Sequence, residues 1–248
     1  MTAVLYAATA VVLLWLADRY VVPISRGAAI ALVLLPLLFT GRAVLTGRVY
    51  GPVEMAYMSK PLSDYRSALH VPPTYNPMLA DIALQMIPWR EAVRRSFADG
   101  EWPLWNRFMF CGDVLAASTQ PAVYSPFTWI ACLLPTALSF AYTGAIALFV
   151  AGLGAFLFAR ELGASTEAAI LAAIAWMFSG PIALLVLWPI GFAWALFPFI
   201  LLTTRRVARD PSIRSAALLV VAFVLEIVAG HPETLLHVTA IAFIYGLF

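Results

Sequence analysis

Apolar residues run in long blocks along most of the chain, at 3–17, 28–47, 138–159, 167–187, 190–204, 215–230 and 234–248, and the first block extends through Val21 and Val22. A helix that crosses a bilayer takes ~20 mainly apolar residues. The blocks therefore predict an all-α integral membrane protein with about seven transmembrane helices. The interval 48–137 breaks the pattern, mixing polar and apolar positions over a length no single connection needs. Three parts follow: two N-terminal membrane helices over 1–47, a long loop over 48–137, and a helix bundle over 138–248 that ends on an apolar run, as a longer protein cut at its C-terminus would.

Within the long loop, Leu79 to Ala98 reads as an amphipathic helix. Ile82, Met86, Val93 and Phe97 recur at near-helical spacing, interrupted at Pro88, and Gly100 follows as a C-terminal cap. The opposite face carries Arg90, Arg94 and Arg95. A helix of this kind fits the plane of a membrane interface. The loop is also rich in aromatics, among them Tyr50, Tyr75, Trp89, Trp102, Trp105 and Tyr124, which predicts an ordered segment.

Composition supports a membrane setting. The 248 residues are 63% hydrophobic and 11% charged, whereas soluble domains carry roughly 25% charged residues. The formal net charge of +2 gives no reason to expect a nucleic-acid partner. The first apolar block has no basic residues before it and no small-x-small site after it, so it reads as a retained helix and not a cleaved signal.

The arginines orient the chain. Arg205, Arg206, Arg209 and Arg214 crowd one short connection against a single acid, Asp210, and short basic connections stay cytoplasmic. Counting spans from there places 160–166 and 19–26 inside. Residues 48–137, 187–189 and 230–232 fall outside, on the extracytoplasmic face.

Candidate chemistry gathers on that outer side. Asp81 opens the amphipathic helix, where it serves either as an ordinary N-terminal charge or as a general base at the membrane surface. Arg90, Arg94 and Arg95 form either a headgroup-facing surface or a grip for a lipid-linked phosphate, which guanidinium binds in bidentate fashion. Glu226 lies within an apolar run, where acids turn toward a cavity or a partner. Pro232 starts a new helix with Glu233 in its first turn. Cys111 and Cys132 read as free thiols, and no His or Cys set has metal-ligand spacing.

Several motifs, in order, resemble the bacterial YfhO-type family of multispanning proteins, which is placed in the GT-C glycosyltransferase superfamily. They are Asp81 with Gln85, Pro88 and Trp89; Gly100 with Pro103, Trp105 and Asn106; then Gly112, Gln120 and Tyr124; and later Ser179-Gly180 and Gly230-His231-Pro232-Glu233. The resemblance covers about residues 40–240. It implies transfer of a sugar from a polyprenyl-phosphate donor to an extracytoplasmic acceptor, with Asp81 as base. It further implies substrate contacts from Gln85, Arg90, Arg94, Arg95, Trp105, Asn106, Gln120, His231 and Glu233. Membrane lipids are the other expected partners, no organic cofactor is called for, and metal use stays open. The block at 3–17 departs from the family pattern, which begins with one helix before the large loop. Alternatives from other classes are a transporter or flippase for lipid-linked sugars and a non-catalytic assembly subunit. No internal repeat favours the transporter.

Overall fold

The computed structural model describes residues 1–74 and 76–248; Tyr75 lies outside the described residues. Helices follow the apolar blocks. The first two-thirds of the set are α1 (Thr2–Tyr20), α2 (Arg26–Leu34), α3 (Leu37–Thr46), α4 (Ile87–Ala98), α5 (Pro126–Cys132), α6 (Thr136–Glu161) and α7 (Thr166–Met177). The rest are α8 (Gly180–Leu185), α9 (Pro189–Arg209), α10 (Ile213–Val228) and α11 (Pro232–Gly246). The only strands among the described residues are a two-residue antiparallel pair, β1 (Trp105–Asn106) and β2 (Asp113–Val114). The chain is all-α, as its periodicity predicts.

Three helices, α1, α6 and α9, are long and apolar enough to cross a membrane. The block at 28–47 is not one straight helix. It breaks between α2 and α3 with a 69° bend, where Pro36 lacks an N–H and its ring excludes the carbonyl one turn earlier. Taken as one broken span, the pair makes a fourth. The block at 167–187 likewise divides, because Ser179 is extended and Pro181 starts α8 in its first turn. Pro189 and Pro232 occupy the first turns of α9 and α11, where a missing N–H costs nothing.

The hub is α6, whose apolar window is 94% buried. It is enclosed by α1, α3, α7 and α9. Small residues permit this, as they do in membrane bundles generally. A Cβ on Gly154 would stand 2.7 Å from the Phe199 ring, and one on Gly144 would stand 2.7 Å from the Tyr50 ring.

The bundle has two chemically distinct ends. At one, Arg206 bridges Glu161 at 2.7 Å and donates to the Val21 carbonyl at 2.8 Å. There Arg214 also donates to the Tyr20 carbonyl at 2.8 Å. The C-termini of α1, α6 and α9 thus meet the start of α10. At the other end, the loop over 48–137 covers the start of α6, the 187–189 turn and the end of α10. A labelling experiment assigns the sides. In protein with Cys111 and Cys132 replaced, Ser118→Cys is expected to react with an impermeant maleimide in intact cells. Asp210→Cys is expected to react only after permeabilisation. Equal labelling of both would refute the arginine-based orientation.

Candidate functional site

The long loop folds around α4. Ala92 and Val93 of that helix pack on Leu115, Ala116 and Val123, forming a small core of its own. The amphipathic segment is less regular than its sequence pattern. A short 3₁₀ turn, Pro77–Leu79, is followed by a π-helical turn, Ile82–Met86, and only then by α4. Pro88 explains the wide turn. In an α-helix its ring would collide with the carbonyl of Leu84, and it has no N–H to give. A π-turn relieves the clash, and such turns are frequent at functional sites.

Asp81 stands just before the π-turn. It is already in helical conformation and makes no capping hydrogen bond, which leaves both sequence readings, an N-terminal charge and a general base, in place. It is exposed, and among the described residues nothing pairs with its carboxylate. Gln85 lies on the same turn, partly buried.

The three arginines separate into two kinds. Glu91 holds two of them: its carboxylate accepts from Arg94 at 2.9 and 3.0 Å and from Arg95 at 2.7 Å. It also accepts from the Thr136 hydroxyl, tying α4 to the start of α6. These donors, Arg94 first, hold the Glu91 carboxyl down at about 2. Arg90 turns the other way. Its Nη1 donates to Thr143 Oγ1 at 3.3 Å and its guanidinium carbon lies 5.1 Å from the centroid of the Phe140 ring. Burial pulls its pKa below the ordinary arginine value, and no carboxylate pairs with it among the described residues.

Glu91 gives a pH prediction. Its folded pKa lies below the unfolded value of about 4.3. The stability it contributes is therefore full above that value and lost as pH falls through it toward about 2. Glu91→Gln is expected to melt lower than wild type at pH 7, with the gap closing near pH 2. A gap that persists at pH 2 would show that the loss is steric.

Arg90 opens onto a cavity of about 50 Å³, lined also by Met86, Trp89, Gln120, Ser125, Trp188 and Ala229. A single water needs roughly 10–15 Å³, so the space suits a few waters or one small anionic group, not a sugar ring. Gln120 reaches it through a strained turn. Thr119 and Ala122 have φ of 65° and 49°, values that cost a non-glycine residue ~1–3 kcal/mol and gather at binding sites. The turn lies against Gly230. A Cβ on Gly230 would sit 2.7 Å from the Thr119 carbonyl oxygen, and Gly230 has φ +92°. Only glycine fits both demands. The Gly-His-Pro-Glu segment thus buttresses the Gln120 turn.

The remaining sequence candidates have structural roles. His231 caps α11: its Nδ1 lies 2.8 Å from Thr234 Oγ1 and accepts from the Thr234 N–H at 3.2 Å, and burial lowers its pKa. Glu233 is exposed in the first turn of α11. Asn106 is buried, and its Oδ1 accepts from the Phe108 N–H at 3.0 Å. Trp105 closes over Gly112. Among rival acids, Asp113 accepts from the Val114 N–H at 2.7 Å, while Asp64 is exposed. Glu226 is fully buried, and among the described residues neither carboxylate oxygen has a hydrogen-bond partner. Cys111 and Cys132 are free. No group of three His, Cys, Asp or Glu that could hold a metal ion occurs among the described residues.

The structure brings Arg90, Trp89 and Gln120 together with the end of α10. It does not bring Asp81, Arg94, Arg95, Trp105 or Glu233 into that cavity. The cavity's Thr143, Phe140 and strained Thr119–Ala122 turn carry no signal in the sequence, since nothing in residue type announces a positive φ at threonine. No family model, curated protein or solved structure matches this chain.

Proposed function

We propose that this chain is a YfhO-type, GT-C-like membrane glycosyltransferase with about seven spans. In this reading it transfers a sugar from a polyprenyl-phosphate donor to an acceptor hydroxyl at the extracytoplasmic face. The supporting observation is Arg90, a desolvated guanidinium without a carboxylate partner that opens onto a cavity between the loop and the bundle. A half-buried guanidinium with no carboxylate beside it among the described residues is a ready partner for an anion, and the space is of a size to take one phosphate. The sugar then remains on the loop side, toward Asp81 just ahead of the π-turn.

The chemistry is a single displacement. Asp81 takes the acceptor hydroxyl proton as the acceptor oxygen attacks the anomeric carbon. The anomeric C–O bond to phosphate breaks, and polyprenyl phosphate leaves with the electron pair, its charge held by Arg90. Arg94 and Arg95, engaged by Glu91 on their own helix, present the charged surface to lipid headgroups, while Glu91 itself ties α4 to α6 through Thr136.

A transporter or flippase is the second reading, favoured by one feature. Glu226 is a buried acid in the apolar helix α10 with no hydrogen-bond partner among the described residues, and acids within membrane helices mark transport paths. Purified protein in vesicles loaded with polyprenyl-phosphate sugars and an acceptor separates the two. The transferase reading expects covalent transfer of the sugar. Transbilayer movement of intact donor without transfer would replace it with the transporter, and neither activity would leave an assembly subunit.

A further inference from the structure

An apolar cleft of about 280 Å³ runs between α1, α6, α9 and α10, walled by Leu13, Leu153, Leu196, Phe199, Val221 and Leu225. Its few polar groups are already placed or lie at its end. The Thr203 hydroxyl donates to the Phe199 carbonyl at 2.8 Å, and Tyr20 and Arg206 stand at the arginine end of the bundle. There the cleft shares Tyr20, Val21, Arg206 and Leu218 with a second, wider space of about 350 Å³ that also holds Arg209 and Arg214. Toward the loop it shares only Phe127 with the Arg90 cavity, and Phe127 packs against Phe192 with ring centroids 4.7 Å apart and the rings tilted by 44°.

We propose that this cleft is a binding site for one anionic phospholipid, with an acyl chain in the cleft and the phosphate among Arg206, Arg209 and Arg214. The apolar walls offer an occupant no hydrogen bonds, which selects a hydrocarbon chain. The mouth selects charge. Of its two acids, Glu161 is taken by Arg206 and Asp210 is exposed without an ion pair among the described residues. Three arginines thus face two acids and the mouth keeps a net positive charge, with Arg209 exposed and also without an ion pair among the described residues. The direction is set by the ends: the mouth is wide and cationic, while the opposite end is closed by Phe127 and Phe192, packed with their rings tilted. This site is at the other end of the bundle from the Arg90 cavity and does not depend on the transferase reading.

The test is lipid retention by purified protein, read by native mass spectrometry with phosphatidylglycerol and phosphatidylcholine of equal chain length. Wild type is expected to retain phosphatidylglycerol preferentially; equal retention would show a cleft filled by bulk lipid and overturn the site. Basic residues near a lipid surface are worth roughly a fivefold change in binding per charge, so Arg209→Glu, a change of two charges, is expected to cost about 25-fold. An unchanged preference would place the headgroup elsewhere. Leu225→Trp fills the cleft and is expected to lower retention while leaving the melting temperature near wild type. Full retention in a folded Leu225→Trp would show that the chain lies outside it. Glycerol phosphate without acyl chains is expected not to displace the lipid, and displacement would reduce the site to an anion site. Loss of phosphatidylglycerol in Arg90→Ala, and not in Arg209→Glu, would assign the cleft to a lipid anchored at the loop end.

Discussion

Asp81→Asn is expected to lower single-turnover sugar transfer by about 10²–10⁴-fold, the range general-base help typically contributes. The substitution keeps the shape of the side chain and removes only its ability to take a proton. It costs little in folding, because Asp81 is exposed, caps no helix and makes no ion pair among the described residues. Donor binding is expected to stay close to wild type. Asp64→Asn and Asp113→Asn serve as comparisons. The Asp113 carboxylate already accepts from the Val114 N–H, so its loss should register in melting temperature and not in transfer. Wild-type transfer by Asp81→Asn beside a dead Asp64→Asn would move the base to Asp64. Wild-type transfer by all three would remove the transferase reading.

Arg90→Ala is expected to weaken donor binding by about 10–150-fold, the equivalent of the ~1.5–3 kcal/mol that a hydrogen bond to a charged group contributes. The effect should appear with polyprenyl phosphate alone, since the contact is to phosphate and not to sugar. Arg90→Lys retains the charge but not the planar fork and should recover only part of the loss. Arg94→Ala is the informative control. Arg94 is held by Glu91, so its removal should lower thermal stability and leave donor affinity within about threefold, the scale of a partly exposed ion pair. If Arg94→Ala weakens binding as much as Arg90→Ala does, the phosphate bridges both residues and the division between them fails.

How much of this was legible in the sequence varies by segment. Helix ends were close: the block at 138–159 becomes Thr136–Glu161, and that at 234–248 becomes Pro232–Gly246. Length and apolar character carry that information directly. The breaks were less legible. Pro36 and Pro181 interrupt runs whose hydrophobicity is otherwise continuous, and periodicity alone does not show whether a proline bends a helix or begins a new one. In the candidate site, Arg90, Gln120 and Trp89 were all named beforehand, but nothing distinguished Arg90 from Arg94 and Arg95. The difference lies in Glu91, which turns two guanidinium groups toward itself and leaves the third facing Phe140 and Thr143. His231 stood out as a polar group beside Pro232, and its partner, the Thr234 N–H, shows it to be a cap.

The wide turn at Ile82–Met86 has a consequence for anyone comparing this chain with others. It accommodates one residue more than an ordinary turn would, and each residue of an α-helix advances about 100° around the axis. Everything before the turn is therefore out of phase with everything after it. A gapless alignment of this stretch to a protein with an uninterrupted helix would match Asp81 to a position facing a different way, even where every letter agreed. The same holds for grafting: transplanting Asp81 with its neighbours, but without the turn and Pro88, would aim the carboxylate about a quarter of a revolution off. The unit to align or to move is the whole segment from Asn76 to Ala98, handled as a bent piece with its own internal offset.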